Sequence, residues 1–377
     1  MRHLAAVAAL LAVTAPAAAQ AVPCPVAKDG AALHRVVVGA KATDRTKAAA
    51  MTLADQLGRI SVGRFAVADG DGTAGLAVGR ASDFPALKLA DRFAPADITR
   101  RVEYVLRTHA DGAWLVGATD LAVEHAVWDF LHRAGYRQFF PSRNWEVVPR
   151  QPNLMLAVDE FEAPDYHARR VWYGFGAADY AAAPYADWCA KNRAGSGVVL
   201  NTGHAYDGII SRNRAAFAAH PEYLGLLGGQ RKSSKFCISN PDLRALVAAD
   251  AVAQLDKNPA QDSVPVDPSD GGGWCECPEC KKLGSVSDRA VTLANAVAEA
   301  VQARHPGKLV GMYAYSEHSP PSLGSTDTES ATGFLSSCAT ASAATSARKS
   351  GFEMQNFDDF RCPPRRPRYS GLSLIHI

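Results

Sequence analysis

The residues with the clearest chemical spacing are cysteines. Cys275, Cys277 and Cys280 place three sulfurs within six residues, and Cys237 supplies a fourth just before Asn240. Four thiolates make a closed tetrahedral zinc site, which is structural because no ligand position is left for water. In an exported protein the same four residues can instead form two disulfides. Zinc and disulfides both remain open at this point. Either arrangement would tie down the loop that precedes Cys275. A catalytic cysteine is not indicated, because no base partner accompanies the cluster. Cys24, Cys189, Cys338 and Cys362 form no such pattern.

Carboxylates are the second group. The run Asp267-Pro268-Ser269-Asp270-Gly271-Gly272-Gly273 follows an apolar stretch at 263–266. Three glycines let the backbone approach a ligand closely and hold positive φ. Asp270 is the candidate acid/base, and Asp267 competes with it as a polar contact at the strand end. Glu317 follows the apolar stretch 309–315 and is the candidate second carboxylate. A pair of carboxyl groups at strand ends suits glycoside hydrolysis, in which one protonates the leaving oxygen and the other acts as nucleophile or as base on water. Aromatic and polar residues recur at the ends of the same predicted strands. Trp172, Tyr206, Trp274 and Tyr315 are candidate platforms for sugar faces, and His204 is a candidate hydroxyl ligand. Arg169 or Arg170 can pair with a uronic-acid carboxylate through two parallel bonds, or serve in an ion pair between domains.

The elements that must position these groups fall into two regions. In the first, 33–38 reads as a strand, 43–57 as a helix, 75–78 as a strand and 101–116 as a hairpin turning at 110–112. Thr119 is the expected N-cap of a helix bearing Val123, Val127, Phe130 and Leu131, with Gly135 closing it. This predicts a small α+β domain over 30–158. In the second region, 169–173, 198–200, 263–266 and 309–315 read as strands. Asn240 with Pro241 opens one helix and Ser287 is the expected cap of another. Pro265 weakens its strand. The repeated strand-then-helix rhythm predicts an α/β second domain over 164–322 built as a (β/α)₈ barrel. A full barrel takes about 250 residues, so the barrel would be incomplete.

The two ends read differently. Residues 1–21 combine a basic start, an apolar run from Leu4 to Val13 and small residues at 17–19, the pattern of a secretory signal peptide. This predicts a secreted or periplasmic protein, and no later segment is apolar enough to span a bilayer. From 323 to 377 the periodicity disappears, and the tail reads as aberrant or disordered. The chain of 377 residues is 47% hydrophobic and 21% charged, an ordinary globular composition. Its formal charge of +2 exerts no net pull toward nucleic acid. No phosphate-binding glycine loop or His-Glu-x-x-His motif is present.

Two stretches carry family resemblances. Residues 117–149, through Phe130, Leu131, Gly135, Arg137, Phe140 and Pro141, resemble the end of the N-terminal domain of bacterial α-glucuronidases and β-hexosaminidases. The segments HPEYLGLLGGQR (220–231), CISNPDL (237–243) and SVPVDPSDGGGWCECPECKKL (263–283) resemble an exported bacterial family known as domain of unknown function forty-eight thirty-eight. The resemblance implies a glycoside hydrolase-like protein acting on poly- or oligosaccharides, uronic-acid-containing ones included. Such an enzyme takes a carbohydrate substrate and needs no cofactor for catalysis. The alternative is a carbohydrate-binding or structural cell-envelope protein without catalysis.

Overall fold

A computed structural model describes residues 21–166, 169, 179–195, 197–320 and 372–375. Residues 1–20 of the signal-peptide reading (1–21), the strand reading 169–173 apart from Arg169, Trp172 included, and nearly all of the tail lie outside the described residues. The described chain divides into two compact units. The first comprises 21–94, 102–164 and 179–193, and the second comprises 95–101, 165–166, 169 and the described residues from 194 onward.

The first unit is built on a six-stranded mixed sheet. Its strands are β3 (Val36–Val38), β4 (Val67–Asp69), β5 (Gly75–Arg80), β6 (Tyr104–His109), β7 (Gly112–Gly117) and β11 (Asp159–Glu162), in the order β11-β6-β7-β5-β3-β4. The predicted hairpin is the antiparallel pair β6–β7, with Leu106 opposite Leu115. Strands β7, β5, β3 and β4 run parallel. A smaller sheet joins β1 (Cys24–Lys28), β2 (Ala31–Ala32) and β10 (Leu154–Leu156), and β8 (Arg137–Gln138) pairs with β9 (Glu146–Val147).

Alternation along the strands explains how this sheet is covered. Val36, Val38, Leu76, Val78, Leu106 and Leu115 face a core shared with Leu53, Leu57 and Ile60 of α1 (Asp44–Ser61) and Val123, Val127 and Phe130 of α2 (Asp120–Arg133). Their neighbours Val37, Ala77, Val105 and Val116 point the other way, onto Phe84, Leu89 and Phe93. Thr119 caps α2 as the sequence predicts, its hydroxyl accepting the Ala122 N–H. Helix α3 (Asp179–Lys191) belongs to this unit as well; Asn192 beyond it donates to the Gln138 carbonyl.

The second unit is mixed α/β. Short helices α4 (Tyr206–Arg212) and α5 (Arg214–Ala219) lead into an antiparallel hairpin, β12 (Leu224–Leu227) and β13 (Gln230–Phe236). Then follow α6 (Pro241–Lys257), β14 (Ser263–Pro265), α7 (Pro278–Lys282), α8 (Val286–Arg304) and β15 (Leu309–Tyr313). Strands β14 and β15 are parallel neighbours joined through α8, and β16 (Leu372–Ile375) runs parallel along the far side of β15. Leu243, Val247 and Leu255 of α6 and Leu293, Val297 and Val301 of α8 bury against Val264 and Val310.

Three expectations need adjustment. Asn240 caps α6 as predicted, but α8 is capped by Ser285 instead of Ser287, because Ser285 can exchange hydrogen bonds with Asp288 three residues on. Residues 198–200 are not a ladder strand. That segment is held beside β14 by side chains instead: Asp262 accepts the Val199 N–H, and Ser263 Oγ accepts the Asn201 N–H while donating to the Val199 carbonyl. Pro265 is tolerated because β14 is the edge strand of its sheet, and its neighbour Val266 makes the bond to Gly311. No helix among the described residues is long and apolar enough to cross a membrane.

Candidate functional site

Parallel neighbours send their following loops out at the same end of a sheet. The loop after β14 carries Asp267 to Gly273, and the loop after β15 carries Tyr315 to His318. Together with Lys235 from β13 they line a cleft: Lys235, Ser269, Asp270, Gly271, Trp274, Tyr315, Ser316, Glu317 and His318. The two predicted catalytic carboxylates are therefore brought to one place. A β-carbon at Gly272 would stand 3.4 Å from Glu317 Oε1, so the glycine run passes directly beside that carboxylate. Gly271 (φ +69°) and Gly273 (φ +87°) take left-handed backbone, which side-chain-bearing residues adopt rarely.

Asp270 is exposed, and its Oδ1 accepts its neighbour Gly271 N–H at 2.9 Å. His204 stands 3.8 Å from the same oxygen through Nε2, while its Nδ1 is 2.9 Å from the Pro268 carbonyl. The His204 ring lies 6.3 Å from that of Tyr315, which is 51% exposed. Trp274 is only 8% exposed and serves as the floor of the cleft, its ring crossed edge-on by His318 at 5.7 Å.

Two residues of this cleft escaped the sequence reading. Lys235 is 1% exposed, donates to the Ser269 carbonyl and lies 5.0 Å from the centre of the Trp274 ring. Burial lowers its pKa, and the negative charges of Glu317, Asp270 and Asp207 oppose that shift. His318 is buried beside it, and burial with the Lys235 charge lowers its pKa to about 4. The imidazole is thus neutral at pH 7.

Other predicted contacts are placed elsewhere. Tyr206 is fully buried and stacks on Phe236 at 3.9 Å, because it sits on the inner face of α4. It is a core residue and not a sugar platform. Asp267 is 2% exposed, and its two carboxylate oxygens accept the Gly203 N–H (2.9 Å) and the Tyr313 N–H (2.7 Å). It joins the segment before α4 to the end of β15, and its oxygens are occupied. Burial pushes its carboxyl pKa up, and the two backbone bonds pull against that. Arg169 donates to the Gly195 carbonyl at 3.1 Å. Asp267→Asn is expected to cost about 1–2 kcal/mol, because the amide keeps one acceptor and turns its NH₂ toward the other backbone N–H. Urea unfolding checks this; an unchanged midpoint would refute the joining role.

The four cysteines converge as well. Cys237, Cys275, Cys277 and Cys280 are buried together, with all four Sγ atoms within 4.8 Å of one another, and they are the described residues able to hold a metal ion. They lie next to the cleft in sequence: Lys235 is two residues before Cys237, and Trp274 adjoins Cys275. The loop is tied to the hairpin by Ser233 Oγ donating to the Gly273 carbonyl and by Gly228 N–H donating to Glu276.

The family model described as domain of unknown function (DUF4838) matches residues 140–330. The chain belongs to this family. The matched span contains the cleft and the cysteine cluster of this DUF4838 protein. A search of curated proteins finds no match. Among solved structures, the chain is similar to a GH115 4-O-methyl-α-glucuronidase, BtGH115A, with specificity for decorated arabinogalactans, at 10% identity and a TM-score of 0.39, over 78% of this chain and 43% of that one. It is also similar to the GH20 β-N-acetylhexosaminidase of Streptomyces coelicolor (14% identity, TM-score 0.34, 78% and 65%) and to the N-acetyl-β-hexosaminidase of Streptomyces plicatus (13%, 0.34, 78% and 63%). The DUF4838 chain thus spans less than two thirds of the length of each of these structures.

Proposed function

We propose that this protein is an exported glycoside hydrolase acting on poly- or oligosaccharides, with its second unit contributing strands of a (β/α)₈ barrel. The observation that carries the reading is the convergence of Asp270 and Glu317 on one cleft, from loops that follow two parallel strands. Asp270 is assigned the protonation of the glycosidic oxygen. Glu317 is assigned the part of nucleophile or base on water; of the carboxylates acting on the buried Lys235 charge, Glu317 acts most strongly, ahead of Asp270. Tyr315 offers a face for a sugar ring and His204 a hydroxyl contact. The basic, apolar and small-residue start of the chain supports export.

A second reading has its own observation. Among the described residues Asp270 is held by its neighbour's N–H and by an imidazole 3.8 Å away, which suits a binding loop as well as a catalytic one. The experiment separates the two. The protein is incubated with a panel of neutral and uronic-acid-containing polysaccharides, and released reducing ends and binding are measured. Release of new reducing ends is expected from at least one. Binding without release would replace the hydrolase with a carbohydrate-binding protein, and neither binding nor release would overturn both.

A further inference from the structure

We propose that Cys237, Cys275, Cys277 and Cys280 hold one structural zinc ion as a tetrathiolate. Cys237 Sγ is 3.7 Å from Cys277 Sγ and 3.9 Å from Cys280 Sγ. A regular tetrahedron with zinc at about 2.3 Å from each sulfur has edges of about 3.8 Å. One sulfur at nearly equal distances from two others is the geometry of shared coordination. Paired disulfides would give each sulfur a single partner at about 2.05 Å.

The surroundings fit the charge of such a site. Backbone N–H groups point at the sulfurs: Leu226 at Cys275 (3.3 Å), Cys280 at Cys277 (3.3 Å) and Ser239 at Cys280 (3.4 Å). Arg231 Nη1 lies 3.9 Å from Cys275 Sγ. Four thiolates around a divalent ion carry two net negative charges, and these donors and this cation offset them. On binding, each thiol releases one proton and forms one zinc–sulfur bond, and nothing is oxidised. All four positions are filled by protein, so the ion has no place for water or substrate and its role is structural.

The ion's position gives it a specific task. Cys237 directly follows β13, and the other three ligands span the loop and first turn after the glycine run. Coordination therefore clamps the hairpin to the loop on the side where Lys235 and Trp274 line the cleft. This proposal stands independently of what the cleft binds.

Metal content of the intact purified chain tests it, read by mass spectrometry of the elements. One zinc per chain is expected, with loss of the metal in Cys277→Ser and Cys280→Ser. Should those variants fail to fold, the native chain stripped and reloaded with cobalt(II) is expected to show thiolate-to-cobalt charge-transfer absorption and the visible bands of a tetrahedral ion. Iron in place of zinc, a metal-free chain in which Cys237, Cys275, Cys277 and Cys280 are all alkylated as free thiols, or disulfides among these four found by peptide mapping would each overturn the assignment.

Discussion

Asp270→Asn is expected to lower turnover of an unactivated glycan by about 10²–10⁴-fold, the usual contribution of a positioned proton donor. The asparagine keeps the size of the side chain and its bond to Gly271 N–H, so the loop should hold its shape. What is lost is the proton delivered to the departing oxygen. A substrate with a good leaving group needs that proton less, so the same variant should retain far more activity on a dinitrophenyl glycoside than on a natural linkage. Glu317→Gln should depress both substrates together, since its carboxylate is assigned to the attack and not to the departure. Steady-state kinetics on the two substrate classes reads the split. Native turnover by either variant would remove that carboxylate from the mechanism, and equal losses on both substrates by Asp270→Asn would reverse its assignment.

The second large effect concerns acid. His318 has its pKa lowered to about 4 from an ordinary 6.5, first by burial and then by the Lys235 charge. Between those values the unfolded chain binds a proton that the folded chain refuses. Stability is therefore fully present above pH 6.5 and is lost as the pH falls toward 4, by up to about 3 kcal/mol from this residue. His132 in the first unit is lowered to about 4 as well, so the useful quantity is a difference. Urea unfolding of the native chain and of His318→Gln at pH 7 and pH 4.5 supplies it. The variant should lose distinctly less stability on acidification. Equal losses would mean that His318 accepts its proton in the folded state as readily as in the unfolded one.

Much of the frame was legible because local chemistry decides it. Thr119 and Asn240 announce their helices through hydroxyl and amide caps, and the Asp111-Gly112 turn announces the hairpin of the first unit. The β12–β13 hairpin was missed although Gly228-Gly229 marks its turn. The reason lies in QRKSSKF, where the inward positions include Ser233 and Lys235. Burial alternates there, but it is carried by polar residues, so hydrophobic periodicity has nothing to register. The same concealment hid Lys235 from the site.

The candidate site was legible in part for a related reason. A strand end followed by glycines locates a loop, and Asp270 and Glu317 share one cleft as that reasoning expects. It does not tell which of two aspartates three residues apart faces outward. Asp267 turns inward, where its carboxylate accepts the Gly203 and Tyr313 backbone N–H groups, and Tyr206 turns inward because Phe236 offers it a flat neighbour. Both are decided by segments distant in sequence.

The way Asp267 is used has an evolutionary consequence. One buried side chain fastens the stretch before α4 to the close of β15, so the exposed positions beyond it need not make that connection themselves. Related proteins are then free to vary the exposed Tyr315 and Ser316, while Glu317, the buried His318 and the strands beneath stay as they are. Diversification should concentrate on that rim and spare its fastening.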